Sequence, residues 1–173
     1  LMFENNETRI MGIDFGMKRI GIALSDSLKM FAYSHKTILN NSTTISELEK
    51  IIKEKNVTKV ILGIPNEERQ NKESKTSVIK DVKKFKENLE KKFGLEVELW
   101  DETYTSVIAQ QQILESVNKK IKRQNKDLLD MYSAAIILQE YLDSIKRNNW
   151  LHSIDFAIHT NYFFLSKSTS GAN

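Results

Sequence analysis

Two short apolar runs, Arg9–Phe15 and Ile20–Ser25, are separated by only Gly16-Met17-Lys18-Arg19. This interval constrains the fold more than any other feature of the chain. Four residues make a turn, with Gly16 supplying backbone freedom, so the two runs read as the strands of a hairpin. In the first, Ile10, Met11 and Ile13 lie around Gly12 and the run leads to Asp14. Ala32–Ile38 reads as a weaker third strand and Asn40–Thr43 as a polar loop. The rest of the chain then alternates. A helix is predicted over Ile45–Lys55, with Ile45, Leu48, Ile51 and Ile52 on one face and Thr44 and Glu47 in the form of a capping box. Val60–Ile64 reads as a buried parallel strand stopped by Pro65, which cannot donate to a ladder.

Asn66–Lys75 reads as a polar loop, and Ser77–Phe93 as a second amphipathic helix closed by Gly94. Leu95–Trp100 reads as the last strand and runs into Asp101-Glu102. Ser106–Val117 is expected to be helical, Asn118–Lys126 a basic loop, and Leu128–Ile145 a strongly apolar, buried helix. A hairpin followed by alternating helices and strands implies an α/β fold: a mixed five-stranded sheet with helices on both faces.

At 173 residues the chain is expected to form one domain, residues 1–149, with a tail over 150–173 that docks or stays disordered. The absence of cysteine excludes a disulfide scaffold, a thiol nucleophile and a zinc–thiolate site. The three histidines, His35, His152 and His159, follow no ligand spacing. A metal would therefore sit on Asp and Glu oxygens, which suits Mg²⁺ or Mn²⁺. No apolar run approaches the ~20 residues that span a bilayer. The start is polar and acidic, unlike a signal peptide, so a cytoplasmic protein without a membrane partner is expected. The net charge of +3 is only a mild hint of a polyanionic partner.

Three acids stand at the ends of apolar elements. Asp14 ends a strand, Glu102 follows one, and Asp130 opens a helix. A carboxylate beside a buried strand is costly unless something compensates it, and converging carboxylates are relieved by a divalent cation. Each acid also has a plainer reading. Asp14 could fix the turn through its own backbone. Asp101 could be the functional member of its pair instead of Glu102. Asp127 is a natural N-cap, and Asp130 would then merely favour the helix dipole. Composition alone leaves these alternatives open.

The segment Gly12-Ile13-Asp14-Phe15-Gly16-Met17-Lys18-Arg19-Ile20-Gly21-Ile22-Ala23 resembles the opening of the bacterial YqgF, or RuvX-like, family. The resemblance continues in Val60-Ile61-Leu62-Gly63-Ile64-Pro65 and in Leu99-Trp100-Asp101-Glu102-Thr103-Tyr104-Thr105. It ends with Asp130 ahead of Ser133–Gln139 and Tyr141-Leu142. Four blocks in order cover roughly Arg9 to Asp143, which is more specific than any one motif. The family is described as Holliday-junction-resolvase-like and as pre-16S rRNA nucleases. The resemblance implies a ribonuclease-H-like fold and a divalent-metal nuclease, with Asp14, Glu102 and Asp130 as the acidic triad. Met17 stands where the family usually has Thr, and the loop 66–77 lacks the family's glycines.

Lys119, Lys120, Lys122 and Arg123 lie in a loop without acids that leads toward Asp130, and Lys18 and Arg19 follow Asp14. These six are the candidate phosphate contacts, against the plain reading of solvated lysines. The leading expectation is an endonuclease on structured nucleic acid that processes the 5′ end of pre-16S rRNA. The alternatives are a Holliday-junction resolvase, which needs a two-fold dimer for paired cuts, and a catalytically inactive nucleic-acid-binding module. Either a monomer or a homodimer fits the first. An actin-like ATPase would need a second lobe and a second Asp-x-Gly, which this length does not supply.

Overall fold

The computed structural model describes residues 7–64, 72–101 and 131–148, with side chains from residue 78 in the second segment. Its strands are β1 (Arg9–Phe15), β2 (Arg19–Ser25), β3 (Ala32–Leu39), β4 (Val57–Ile64) and β5 (Glu96–Asp101). They form one sheet in the order β3-β2-β1-β4-β5. β1 to β3 are an antiparallel meander, whereas β4 and β5 run parallel to β1. The parallel strands require crossovers, supplied in part by α1 (Thr44–Glu54) and α2 (Lys72–Phe93). A third helix, α3, covers residues 131–148. The mixed five-stranded sheet expected from the sequence is thus present, with helices on both faces.

Side chains alternate across the sheet, and the two faces are built differently. Met11, Ile13, Ile20, Ile22, Val60, Leu62 and Val97 share one face, packed with Leu48 and Ile51 of α1 and Val82 and Leu89 of α2. The other face carries small residues. Gly12 is the key position: a Cβ there would lie 2.7 Å from the Leu138 Cβ and 2.8 Å from the Ala134 carbonyl oxygen of α3. The missing side chain is what lets α3 rest on the sheet.

Several boundaries differ from the sequence expectation. α2 begins at Lys72, so the described part of the expected loop is helical. Lys72, Glu73 and Lys75 are good helix formers, but a turn polar all round gives no periodic signal. β4 begins at Val57, which is buried and pairs with Arg9. The capping box does not form. Thr43 is the N-cap of α1 and makes no side-chain cap. The Thr44 hydroxyl donates instead to the Leu39 carbonyl at 2.9 Å, and Glu47 pairs with Lys36 at 2.9 Å. Gly94 does end α2, with φ at +64° and its N–H donating to the Glu90 carbonyl at 2.9 Å.

The chain divides into two units, Leu1–Leu142 and Asp143–Asn173. In the second, residues 143–148 are described; they are helical, and Lys146 Nζ lies 3.4 Å from Asp143.

Candidate active site

The β1–β2 turn is tightly determined. The Gly16 N–H donates to the Arg19 carbonyl at 3.0 Å, and a Cβ on Gly16 would meet that oxygen at 2.6 Å. Asn40 holds the turn from the side: its Nδ2 donates to the Gly16 carbonyl at 2.9 Å and its N–H to the Lys18 carbonyl at 3.0 Å. Asp14 sits just before this turn, half-buried at the carboxyl end of β1. Lys18 is exposed and Arg19 half-buried in or beside the turn. Met17, next to Gly16 in this turn, exposes its side chain to solvent.

Asp14 shares a face with Gly12, two residues earlier, and therefore with α3. The direction of α3 follows from Gln139. Its Oε1 accepts from the Ala32 N–H at 2.8 Å and its Nε2 donates to the Met30 carbonyl at 3.2 Å. Ala32 pairs with Ser25, whose hydroxyl accepts from the Ile10 N–H at 2.9 Å, so Gln139 lies at the amino end of β1. Ala134 lies over Gly12. α3 thus runs antiparallel to β1 and has its amino end toward Asp14. Position 130 adjoins the first described residue of that helix in sequence.

Glycine stands beside Asp14 on both neighbouring strands. Its partner on β2 is Gly21, and on β4 Gly63 follows Leu62, the partner of Ile13. No Cβ flanks the carboxylate in the sheet. Gly63 pairs with Trp100, which places Trp100 on the α3 face, where its ring meets Tyr141 edge-on at 5.4 Å. Asp101 pairs with Ile64, which packs into the α1–α2 core, so Asp101 belongs to the opposite face from Asp14.

A charged strut supports the same helix. Lys59 Nζ is 2.7 Å from both Glu96 and Glu98 and 5.3 Å from the Tyr141 ring centroid. Burial works to lower the Lys59 pKa, but hydrogen bonds to Glu96 and Glu98 outweigh it and hold the ammonium above its ordinary value. A raised pKa means the strut contributes fully at any pH below the unfolded lysine value, hence throughout the neutral range. Lys59→Met is expected to cost about 1–2 kcal/mol, because it leaves two glutamates on one face without their cation. Urea unfolding measures this, and an undiminished midpoint would show the strut to be slack.

Of the site residues singled out from sequence, the structure describes Asp14, Lys18, Arg19 and the alternative acid Asp101, and it brings the first three together at one end of the sheet. Glu102, Asp130, Asp127, Lys119, Lys120, Lys122 and Arg123 lie outside the described residues, as does the tail 150–173. Among the described residues no three His, Asp or Glu groups form a metal cluster. Sequence reasoning missed Gln139, Lys59 and the glycine pair beside Asp14. The glycines are visible in the sequence, but only the strand register sets them beside the carboxylate.

The mixed five-stranded sheet with helices on both faces is that of the ribonuclease-H-like class. Within that class the chain belongs to the family described as "RuvX: Holliday junction resolvase", whose model matches residues 8–144. A relative from Azobacteroides pseudotrichonymphae, described as "Putative pre-16S rRNA nuclease", is 39% identical over 140 residues, 80% of this chain and 99% of its own length. One from Clostridioides difficile with the same description is 40% identical over 137 residues, covering 78% and 94%. Among solved structures, T. thermophilus RuvC in complex with Holliday junction substrate matches with a TM-score of 0.51 over 80% of this chain and 96% of that one. At 11% identity that likeness is one of fold.

Proposed function

We propose that this chain is a divalent-metal-dependent endonuclease that hydrolyses phosphodiesters in structured nucleic acid, in the maturation of the 5′ end of pre-16S rRNA. The observation that carries the reading is the placement of Asp14: half-buried at a strand end, flanked by glycine, with the amino end of α3 directed toward it. Membership in the family supports the nuclease class, and the relatives' descriptions support the RNA substrate. In this reading the protein takes part in ribosome biogenesis and works in the cytoplasm. No described helix is long and apolar enough to cross a membrane.

The reading assigns Asp14, Glu102 and Asp130 as ligands of Mg²⁺ or Mn²⁺. Asp14 fits that role, since a carboxylate oxygen is the donor these hard cations take and glycines flank it on both neighbouring strands. The face of Asp101 argues against that residue as the ligand, because Asp101 belongs to the α1–α2 face, opposite Asp14, and Glu102 is the other acid of the pair. Asp130 adjoins in sequence the first described residue of α3, whose described start is directed toward Asp14, and this supports it as the third ligand. Bound divalent cations would supply charge for activating water and stabilising the transition state at phosphorus. The chain's own residues do the rest. Asp14 is held by the sheet and the pinned 16–19 turn, so it enters the site without reorganising. Lys18 and Arg19 beside it grip phosphates on either side of the cut, and Lys119, Lys120, Lys122 and Arg123 extend that grip.

The family description favours one further reading, resolution of four-way DNA junctions by a dimer with two sites. A side-by-side assay on a pre-16S rRNA fragment and a four-way junction, each with Mg²⁺ and with EDTA, separates the two. Cleavage of the RNA alone, abolished by EDTA, is expected. Preferential paired cutting of the junction assigns the resolvase instead. Binding of either substrate without cleavage under any metal leaves a binding module, and full cleavage in EDTA removes the metal mechanism.

A further inference from the structure

At the opposite end of β1 from Asp14 lies an open cleft of about 270 Å³, between the start of β1, the first half of β3 and the end of α1. Its lining combines three kinds of chemistry. Tyr33 offers an aromatic ring that is 58% exposed. Arg9 and Lys55 supply two cations, the first held in place by its Nη1 donating to the Ser25 carbonyl at 2.9 Å. Ser34 and His35 add polar groups. The register of β2 and β3 slips between Ile22 and Ala23, whose partners are Lys36 and Ser34, so His35 is the extra residue of a bulge. Bulges re-aim a side chain, and this one faces the cleft. Burial, then the nearby Lys55 and Lys36, lower the His35 pKa, so the imidazole is neutral at pH 7 and offers one donor and one acceptor. The acids close by are Glu7, 3.9 Å from the other Arg9 nitrogen, Glu54, which acts on His35, and Asp26, which feels the charge of Arg9. Asp26 accepts from the Met30 and Phe31 N–H groups at 2.6 and 3.0 Å, so its carboxylate is engaged in its own loop.

We propose that this cleft is a nucleotide-binding site separate from the catalytic carboxylates, with a base stacked on Tyr33 and its phosphate between Arg9 and Lys55. The volume accommodates one nucleotide, aromatic stacking tolerates any base, and two cations match the phosphate charge. Five residues along β1 separate Arg9 from Asp14, about 17 Å at roughly 3.3 Å per residue. Leu24 and Tyr33 put the cleft on the α1 side of the sheet, whereas Asp14 is on the α3 side. A nucleotide held here is therefore not the one cut. It is either part of a strand that flanks the cleavage position or a free mononucleotide.

The test uses the full chain in EDTA, so that RNA stays intact. The imidazole resonances are followed by NMR, with His35 assigned through His35→Asn, during titration with AMP and, separately, with a 12-nucleotide single-stranded RNA. A Tyr33→Ala/Lys55→Gln double variant is compared by fluorescence anisotropy on the same RNA. The expected result is a shift of the His35 resonances with RNA and an affinity loss of about tenfold in the double variant with a shallower salt dependence. A His35 shift with AMP and undiminished RNA affinity in the variant keeps the site and assigns a free mononucleotide to it. No His35 shift with either probe overturns the proposal. These binding readouts stand whether or not the chain cleaves nucleic acid, so failure of the nuclease reading is scored separately.

Discussion

Asp14→Asn is expected to lower the cleavage rate by on the order of 10³-fold or more while leaving the unfolding midpoint unchanged. Asparagine has the shape of aspartate, and the backbone pairing of residue 14 with Gly21 does not depend on the side chain. What is lost is one negative charge and one acceptor oxygen at the carboxyl end of β1. Both are what a divalent cation requires, so an Mg²⁺ titration should show weakened metal dependence before activity disappears. The informative control is Asp101→Asn. Asp101 pairs with Ile64 and belongs to the α1–α2 face, so its loss should change the rate by no more than about threefold. If Asp101→Asn is as damaging as Asp14→Asn, the assignment of faces is wrong. If Asp14→Asn cuts at the parental rate, Asp14 is a turn residue and the proposed mechanism fails with it.

That contrast shows where the sequence stops being readable. β1 is legible to the residue, because apolar positions run up to a charged end and a glycine turn follows. The start of β4 is not, because Lys59 breaks the apolar run; only its pairing with Glu96 and Glu98 makes a lysine tolerable there. Thr44 and Glu47 have the spacing of a capping box, yet the Leu39 carbonyl and Lys36 compete for them and win. Local patterns describe what a residue can do, and tertiary partners decide what it does. The same holds at the site. Asp14 stands out in the sequence as an acid ending an apolar strand. The face that Asp101 takes does not, because it needs the β4–β5 register. The glycines at 21 and 63 look like unrelated breaks in two strands until the register puts them beside one carboxylate.

Gly12 gives the sharpest test of how the sheet and α3 are joined. Gly12→Ala is expected to destabilise the protein by about 3 kcal/mol, at the upper end of the usual range for overpacking. In a chain of this size that lowers the thermal midpoint by about 6–12 °C. The reason for the high value is what the new methyl would meet. One contact, at 2.8 Å, is with the Ala134 carbonyl oxygen, which moves only if the helix moves. The other, at 2.7 Å, is with the Leu138 Cβ, so trimming Leu138 to alanine leaves the clash in place. Neither contact can be relieved by a rotamer change, and α3 must lift from the sheet. Because the amino end of that helix is directed toward Asp14, lifting it should also lower kcat at temperatures where the variant is fully folded. Gly94→Ala separates the two effects. That position has open space around it but a φ of +64°, so it should cost about 1 kcal/mol through backbone strain and leave kcat unchanged. A Gly12→Ala protein that melts early yet cleaves at the parental rate would mean that the height of α3 above the sheet supports the fold without setting the geometry of the site.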